Sequence, residues 1–239
     1  MNENLRVTQY AQGAPLMPQK PLEDVLAHLP CSSIIEYRKD QMIYNEEMPS
    51  TSIYLVIGGK VKVSLVDEKE GEIVVDIYLP DEFFGESAFV SLPKRPDRAI
   101  AMEPVKLMTW TSAEVEDIVM KRPRLGLALL QIVVQRTIDF SKRIESLSVQ
   151  NTVQRLAHTL IRFSERQGTQ QGDGSFLMMP LTHQLLADYV GTSREVVTHF
   201  MQQFRRQGYL RYSRRGIVLY RNALREWLAS QHGQRASAL

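Results

Sequence analysis

The sequence predicts an α+β protein made of an antiparallel barrel or sandwich of short strands, one long helix, and a small helical domain ending in a β-hairpin. Short β-rich segments bounded by turn residues run from Ser33 to Thr111. A helical repeat of apolar residues follows, and two short helices around a glycine come after it. Because the periodicity changes in this order, we expect a strand-rich N-terminal part and a helical C-terminal part.

The composition is ordinary for a globular protein and excludes several other classes. The chain has 239 residues, of which 44% are hydrophobic and 23% are charged, which excludes disordered and collagen-like chains. The longest apolar runs, such as Leu125–Val134, are far shorter than the roughly 20 residues of a membrane span. The first ten residues are polar and lack the apolar core of a secretory signal. We therefore expect a cytoplasmic protein without membrane association.

The small net charge of +2 conceals an asymmetry between two parts of the chain. Residues 1–148 carry 17 basic and 22 acidic side chains, whereas residues 149–239 carry 12 basic and 5 acidic ones. Every basic residue of the second part is arginine, which binds phosphate and guanine through a bidentate fork that lysine lacks. A solvated basic surface is the alternative interpretation until the pattern is considered.

The first part of the chain is predicted to be a leader followed by a barrel. Residues 1–32 are interpreted as a polar leader with a short helix, Leu22–Leu29, and residues 33–124 as the β-barrel domain. The predicted strands are Ser52–Ile57, Lys60–Val66, Glu72–Leu79 and Val105–Thr111. Gly58-Gly59 and the run Asp67–Gly71 are interpreted as hairpin turns.

A long helix is predicted next, at Leu125–Leu147. The apolar residues near helical spacing are Leu129, Val133, Ile138, Phe140, Ile144 and Leu147. They cover much of the circumference, so we expect one side to pack on the barrel and the other on a second copy of the chain. A plain core helix is the alternative. Residues 125–148 are thus predicted as a dimerisation helix, and Asn151 as the N-cap of the helix after the break at Ser148.

The C-terminal domain, residues 149–239, contains a predicted helix-turn-helix. Thr182 is suited to cap a helix at His183–Val190, and Gly191 allows the chain to leave that helix. Thr192 or Ser193 then caps a second helix that runs to about Gln207. Two short helices separated by a tight turn with glycine form this motif.

The second helix and the following hairpin carry the residues that we expect to contact DNA. Arg194, Glu195, Thr198 and His199 are three and four residues apart, so they share the kind of face that a helix presents in the major groove. Two arginines lie at the tip of the hairpin, where a wing grips phosphates. The predicted DNA-binding residues are Thr182, Thr192, Ser193, Arg194, Glu195, Thr198, His199, Arg205, Arg214 and Arg215.

From about Ser33 to Trp227 the chain resembles the catabolite activator/FNR (CRP/FNR) family of bacterial transcription regulators. The resemblance is carried by Tyr54–Val63, Leu79–Phe89 and Leu181–Val197. It implies an N-terminal double-stranded β-helix (a cyclic-nucleotide-binding-like jelly roll), a long dimerisation helix and a C-terminal winged helix-turn-helix. It also implies a homodimeric regulator whose partners are double-stranded DNA and RNA polymerase, and whose barrel binds an effector.

The resemblance also implies where an effector would bind. In cyclic-nucleotide-binding relatives, a Gly-Glu pair and a later arginine beside a hydroxyl residue hold the sugar and the cyclic phosphate. Gly85, Glu86 and Arg95 match, but Pro96 and Asp97 stand where the hydroxyl residue is expected. Proline removes an amide donor, and an aspartate beside a phosphate costs Coulomb energy unless Arg98 neutralises it. We therefore expect that cyclic AMP is not the main effector.

Several effector classes remain open. Phe140 and Ser141 fall where relatives place a Thr-Ser pair against the base, and only the serine matches. The candidate effector-binding residues are Gly85, Glu86, Ser87, Arg95, Arg98, Phe140 and Ser141. The alternatives are a cyclic nucleotide in this pocket, a small organic acid or anion held by Arg95, Arg98 or Arg136, and regulation by abundance with no effector.

The sequence gives little support for a metal, a cofactor or catalysis. The single cysteine, Cys31, excludes an iron–sulfur cluster and a structural zinc site built on several thiolates. Haem has thin support because His28 is the only histidine before the hinge. We find none of the hydrolase, zinc-protease, P-loop or dinucleotide motifs and predict no catalytic residue and no enzyme.

Overall fold

The computed structural model of this chain describes residues 29–30, 32–67, 71–90 and 92–236. The predicted leader, nearly all of the predicted helix Leu22–Leu29, and both Cys31 and His28 lie outside the described residues.

The N-terminal domain is a barrel of two four-stranded antiparallel sheets. Its strands are β1 (Ile34–Tyr37), β2 (Met42–Tyr44), β3 (Ser52–Gly58), β4 (Val61–Asp67), β5 (Gly71–Tyr78), β6 (Phe83–Phe84), β7 (Arg98–Ala101) and β8 (Val105–Thr111). One sheet has the order β1-β8-β3-β6 and the other β2-β7-β4-β5. Apolar side chains of both sheets, such as Val56 and Val61, share one core.

The predicted strands are present, but one predicted turn is wrong. Strands β4 and β5 pair as a hairpin across the predicted turn Asp67–Gly71. Gly58-Gly59 does not close a hairpin, because β3 pairs with β6 and β8 while β4 belongs to the other sheet. The two glycines instead carry the chain from one sheet to the other, a distinction that depends on partners distant in sequence.

Two helices follow the barrel, α1 (Ser112–Lys121) and α2 (Pro123–Val149). Helix α2 is two residues longer at each end than the predicted Leu125–Leu147. Leu125 and Ala128 on its inner face are buried among residues of the barrel. The exposed apolar residues of α2 are Leu127, Leu130, Val133, Val134, Ile138, Ile144, Leu147 and Val149. The helix therefore has the two apolar sides that its sequence predicts.

The C-terminal domain combines four helices with a small sheet. Its elements are α3 (Thr152–Gln167), β9 (Thr169–Gln170), β10 (Phe176–Met178), α4 (His183–Val190), α5 (Arg194–Arg206), β11 (Leu210–Ser213), β12 (Gly216–Leu219) and α6 (Arg221–Ala236). The sheet has the order β11-β12-β10-β9. Asn151 starts α3 in a capping box with Gln154, as its position predicts. The predicted fold class is confirmed.

The core of the C-terminal domain continues into the barrel. Leu186, Met201 and Phe204 are buried at its centre, and Val74 and Ile77 of β5 belong to the same apolar cluster. The C-terminal domain is thus packed on strand β5, although the sequence shows a break at Ser148. Within the described ranges, no helix combines the length and apolarity needed to cross a membrane.

Candidate nucleic-acid interface and effector region

Local hydrogen bonds position the turn between α4 and α5. The Thr182 hydroxyl accepts from the amide of Leu185 at 3.1 Å and caps α4. Gly191 has the left-handed φ of 74°, which glycine adopts without a steric penalty, and ends this helix. Ser193 then accepts from the amide of Val196 at 3.4 Å and starts α5. Short-range sequence signals thus set where the two helices end and begin at this turn.

Helix α5 presents a polar face to solvent and an apolar face to the core. Arg194, Glu195 and His199 are exposed, whereas Val197 and Met201 are buried. Hydrogen bonds from its own backbone N–H and from Ser193 lower the pKa of the Glu195 carboxyl, so it is a charged acceptor at neutral pH. The exposed face carries a forked donor and an anionic acceptor side by side, the groups that read guanine and cytosine.

The other predicted DNA-binding residues on the helices differ from one another in exposure. Thr198 is only partly exposed, and its hydroxyl donates to the carbonyl of Arg194 at 2.8 Å. Thr192 is also partly exposed, and its amide donates to Ala187 O at 3.1 Å. Arg205 is exposed in the last turn of α5. The predicted DNA-binding residues therefore form two groups. One group is exposed to solvent, and the other is partly exposed and hydrogen-bonded within the domain.

The wing is a two-stranded hairpin whose tip is hydrogen-bonded. Strands β11 and β12 pair from Leu210 to Ser213, and Arg214 and Arg215 form the exposed turn. The Ser213 hydroxyl donates to Gly216 O at 3.1 Å and accepts from the Arg215 amide at 3.2 Å. These bonds hold the two arginines at the outer end of the hairpin.

Sequence reasoning missed His183 and Tyr212 on this surface. His183, the first residue of α4, lies 2.8 Å from Thr198 Oγ1 through Nδ1 and 2.9 Å from Tyr212 Oη through Nε2. The two partners are 15 and 29 positions away along the chain, so no local pattern points to the contact.

The predicted effector arginine is turned into the protein. Arg95 is 3% exposed, and its guanidinium carbon lies 4.2 Å from the centroid of the Tyr44 ring. Its Nη2 donates to Ser52 O at 2.5 Å, and its Nη1 donates to Gly85 O at 3.1 Å. Gly85 has a φ of +83°, and a Cβ there would lie 3.0 Å from Arg95 Nη1. A side chain at position 85 would therefore crowd the Arg95 guanidinium, so this position suits glycine.

The remaining candidate effector residues are spread over three places. Ser87 Oγ lies 3.3 Å from Arg95 Nη1, while Glu86 Oε1 accepts from Arg136 Nη1 of α2 at 2.7 Å. Arg98 of β7 lies 3.4 Å from Glu72 of β5, and both belong to the sheet that does not contain β6. Phe140 is partly exposed, and Ser141 is exposed with its hydroxyl donated to its own helix. Gly85, Ser87 and Arg95 thus form one local cluster, and Glu86 links it to α2.

Asp97 beside this cluster provides a pH-dependent prediction. Burial, and then repulsion from Glu86, raise the pKa of the Asp97 carboxyl from 3.8 to about 6. Because the folded state favours the neutral acid, its contribution to stability is complete below about pH 3.8 and is lost as the pH rises through about 6. We expect Asp97→Asn to stabilise the fold by about 1–2 kcal/mol at pH 7.5 and by less than half as much at pH 4.5, after allowance for solvent screening.

Denaturant melts at the two pH values measure this difference. The Asp117→Asn variant is the matched control, because it makes the same change at a carboxyl that is exposed rather than partly buried. Equal effects of Asp97→Asn at both pH values would contradict the raised pKa of Asp97.

Among the residues that the structure describes, no group of three or more histidine, cysteine or acidic side chains is arranged to hold a metal ion.

A polar cluster joins the barrel to the C-terminal domain. Asp76 of β5 is 7% exposed, and its carboxylate accepts from Arg166 at 2.7 Å and from Arg162 at 3.3 Å. Arg166 also donates to Glu82 at 2.7 Å. The guanidinium of Arg143 adds bonds of 2.8 Å to the carbonyls of β5 and 2.6 Å to that of Tyr189 in α4. Together these bonds link α3 and α4 of the C-terminal domain to the barrel.

Two family profiles match two separate parts of the chain. Residues 34–122 match the cyclic nucleotide-binding domain, and residues 154–227 match the Crp-like helix-turn-helix domain.

Characterised transcription regulators are similar over most of the chain. The transcriptional regulator SdrP of Thermus thermophilus is 32% identical over 163 residues, which are 68% of this chain and 76% of that protein. The global nitrogen regulator of Synechocystis is 27% identical over 187 residues, covering 77% of this chain and 83% of the relative. A CRP-like cAMP-activated global transcriptional regulator of Mycobacterium tuberculosis is 23% identical over 185 residues, with the same coverage of the two chains.

Solved structures show the same arrangement. FixK2 of Bradyrhizobium japonicum superposes with a TM-score of 0.71 at 23% identity, covering 82% of this chain and 96% of that one. A Thermus thermophilus transcriptional regulator of the CRP/FNR family superposes with a TM-score of 0.62 at 26% identity, covering 83% and 98%.

Proposed function

Because this chain belongs to the CRP/FNR family of transcription regulators, we propose that it is a homodimer that reads an inverted-repeat operator with α5 and its wing. The observation that carries this proposal is the exposed row Arg194, Glu195 and His199 beside the arginines of the wing tip. RNA polymerase is the proposed second partner. The proposal places the protein in the cytoplasm, without membrane association, as a regulator rather than an enzyme.

The two kinds of arginine on this surface have different expected roles. Arg194 lies in the first turn of α5, where its fork reaches guanine O6 and N7, and Glu195 accepts from cytosine N4. Arg214 and Arg215 at the wing tip are placed for phosphates, which carry no base information. Ser193, Thr192, Thr182 and Arg205 flank the reading face and are proposed as backbone contacts.

Replacing each kind of arginine separates sequence reading from general attraction. Arg194→Ala is expected to cost about 1–3 kcal/mol per half-site and to relax the preference at one base pair. Arg215→Ala is expected to weaken all sequences alike and to lower the salt dependence by about one charge per subunit. Binding titrations against an operator and its single-base variants at several salt concentrations measure both effects. If Arg194→Ala left the ranking of variants unchanged, α5 would not be the reader.

We also propose that cyclic AMP is not the main effector. The two Nη groups of Arg95 are already bound to Ser52 O and Gly85 O, and Asp97 lies in the same region as a charge that would repel a phosphate. We expect calorimetry to show no cyclic AMP binding tighter than about millimolar, or about 4 kcal/mol. A micromolar dissociation constant would contradict this proposal. The alternatives are a small organic anion as effector, or regulation by abundance with no effector. Both are compatible with the DNA-binding surface proposed above.

A further inference from the structure

The imidazole of His183 connects three elements of the C-terminal domain. It belongs to the N-terminus of α4, its Nδ1 lies 2.8 Å from Thr198 Oγ1 of α5, and its Nε2 lies 2.9 Å from Tyr212 Oη of β11. One ring thus makes hydrogen bonds to both the recognition helix and the wing. No other side-chain hydrogen bond among those described above links these two parts of the surface directly.

The positions of the protons in this bridge follow from the acceptor at its end. Thr198 Oγ1 donates to the Arg194 carbonyl at 2.8 Å, and a carbonyl oxygen only accepts. Since a threonine hydroxyl has one proton, it is used there, and His183 Nδ1 must carry the proton of the bond to Thr198. In the neutral imidazole Nε2 is then the acceptor, and the Tyr212 hydroxyl donates to it.

This proton arrangement changes the role expected for Thr198. Its only proton is bound within α5, and one of its lone pairs is used by His183. It is also partly buried, while Arg194, Glu195 and His199 are exposed. Thr198 therefore has no proton to donate to a base edge, although it lies on the side of α5 that its sequence position predicts.

We propose that His183 is a positioning residue that sets the wing relative to the recognition helix, and that Thr198 serves this bridge instead of reading a base. The proposal rests on the DNA-reading role of α5 proposed above. A wing held in this way keeps Arg214 and Arg215 at a fixed distance from the base-reading side chains, so phosphate and base contacts form together without further ordering.

The charges around the bridge keep the ring neutral near pH 7. Partial burial, and then Arg194 of α5, lower the pKa of His183, and Arg205 of the same helix faces Tyr212. The bridge also tolerates protonation, because Nε2 then donates and the Tyr212 oxygen accepts. We therefore expect the positioning role of His183 to be the same whether its imidazole is neutral or protonated.

The affinity test uses three hydroxyl or ring deletions in the full-length protein. His183→Ala, Thr198→Val and Tyr212→Phe are titrated with an operator selected from random duplexes and with its single-base variants. Each change removes one or two hydrogen bonds and is expected to weaken binding to every sequence by a common factor of about two- to tenfold, with the ranking of variants unchanged. Adding Thr198→Val to His183→Ala should cause no further loss. Tyr220→Phe, the same deletion at the other end of the hairpin, is the matched control with unchanged affinity.

Two outcomes would overturn the inference. If Thr198→Val relaxed the preference at one base pair, Thr198 would read a base. If His183→Ala left affinity unchanged while Arg194→Ala altered the ranking, the bridge would not position the wing, yet the proposed function would stand. A ranking unaffected by Arg194→Ala would instead show that the proposed function fails.

A spectroscopic measurement on the unaltered protein covers the case in which a variant does not fold. Nitrogen-15 NMR of histidine-labelled protein, with the His183 signal assigned by its loss in His183→Gln, reports which ring nitrogen carries the proton. We expect protonated Nδ1 and bare Nε2 in the neutral ring. A proton on Nε2 alone would overturn the inference, because Thr198 would then donate to the ring.

Discussion

Replacement of both Leu130 and Ile144 by aspartate is expected to convert the protein from a dimer to a monomer. The side chains of Leu130 and Ile144 are 58% and 66% exposed, and they lie two heptads apart on the face of α2 that points away from the barrel. Unpaired carboxylates in an apolar seam cost several kcal/mol, so the dimer should no longer form. Loss of the linked second half-site should reduce operator affinity by roughly 10²–10⁴-fold.

Sedimentation measures the change directly, as the mass of one 27.4 kDa chain in place of two. The matched control is Met120→Asp, which introduces the same charge at a residue of α1 that is 82% exposed and outside the proposed seam. This control should sediment as a dimer. A double variant that remained dimeric would show that this face of α2 is not the interface.

The second large effect is expected for Asp76→Asn, which should lower the free energy of unfolding. Its carboxylate accepts from Arg162 and Arg166 across the contact between β5 and α3. Breaking a buried pair costs more than the pair contributes, because the partner charge is left desolvated. Since both arginines keep some exposure, we expect a loss of about 2–4 kcal/mol in the free energy of unfolding.

Denaturant melts at matched protein concentration provide the measurement, since dimerisation makes stability depend on concentration. The exposed Asp117→Asn variant removes the same charge and is expected to shift the free energy of unfolding by less than about 0.5 kcal/mol. If Asp76→Asn were equally mild, the cluster would not hold the two domains together.

The features predicted well from the sequence are those set by neighbouring residues. Caps such as Asn151 and Thr182 act on amides three positions away, and the apolar spacing of α2 is a local repeat. The helix-turn-helix, its wing and the long helix were therefore visible in the sequence. Strands β1 and β2 are not predicted, because runs of four and three residues are too short to show the alternation that marks a strand.

The features that could not be predicted depend on distant contacts. Asp76 meets Arg166 across 90 positions, and Arg95 is held by Ser52 across 43. No local pattern indicates that Arg95 turns inward or that β5 supports the helix-turn-helix. His183 shows the same limit within one domain, because its two partners come from other elements.

Selection of bound sequences from random DNA duplexes tests the central claim most directly. The full-length protein is incubated with the library at fixed salt, and the recovered duplexes are sequenced. A symmetric dimer with one recognition helix per subunit predicts an enriched inverted repeat with half-site centres about 10 base pairs apart. Recovery of unenriched DNA, or of a single site without two-fold symmetry, would contradict the proposal that this chain is a dimeric, sequence-reading regulator.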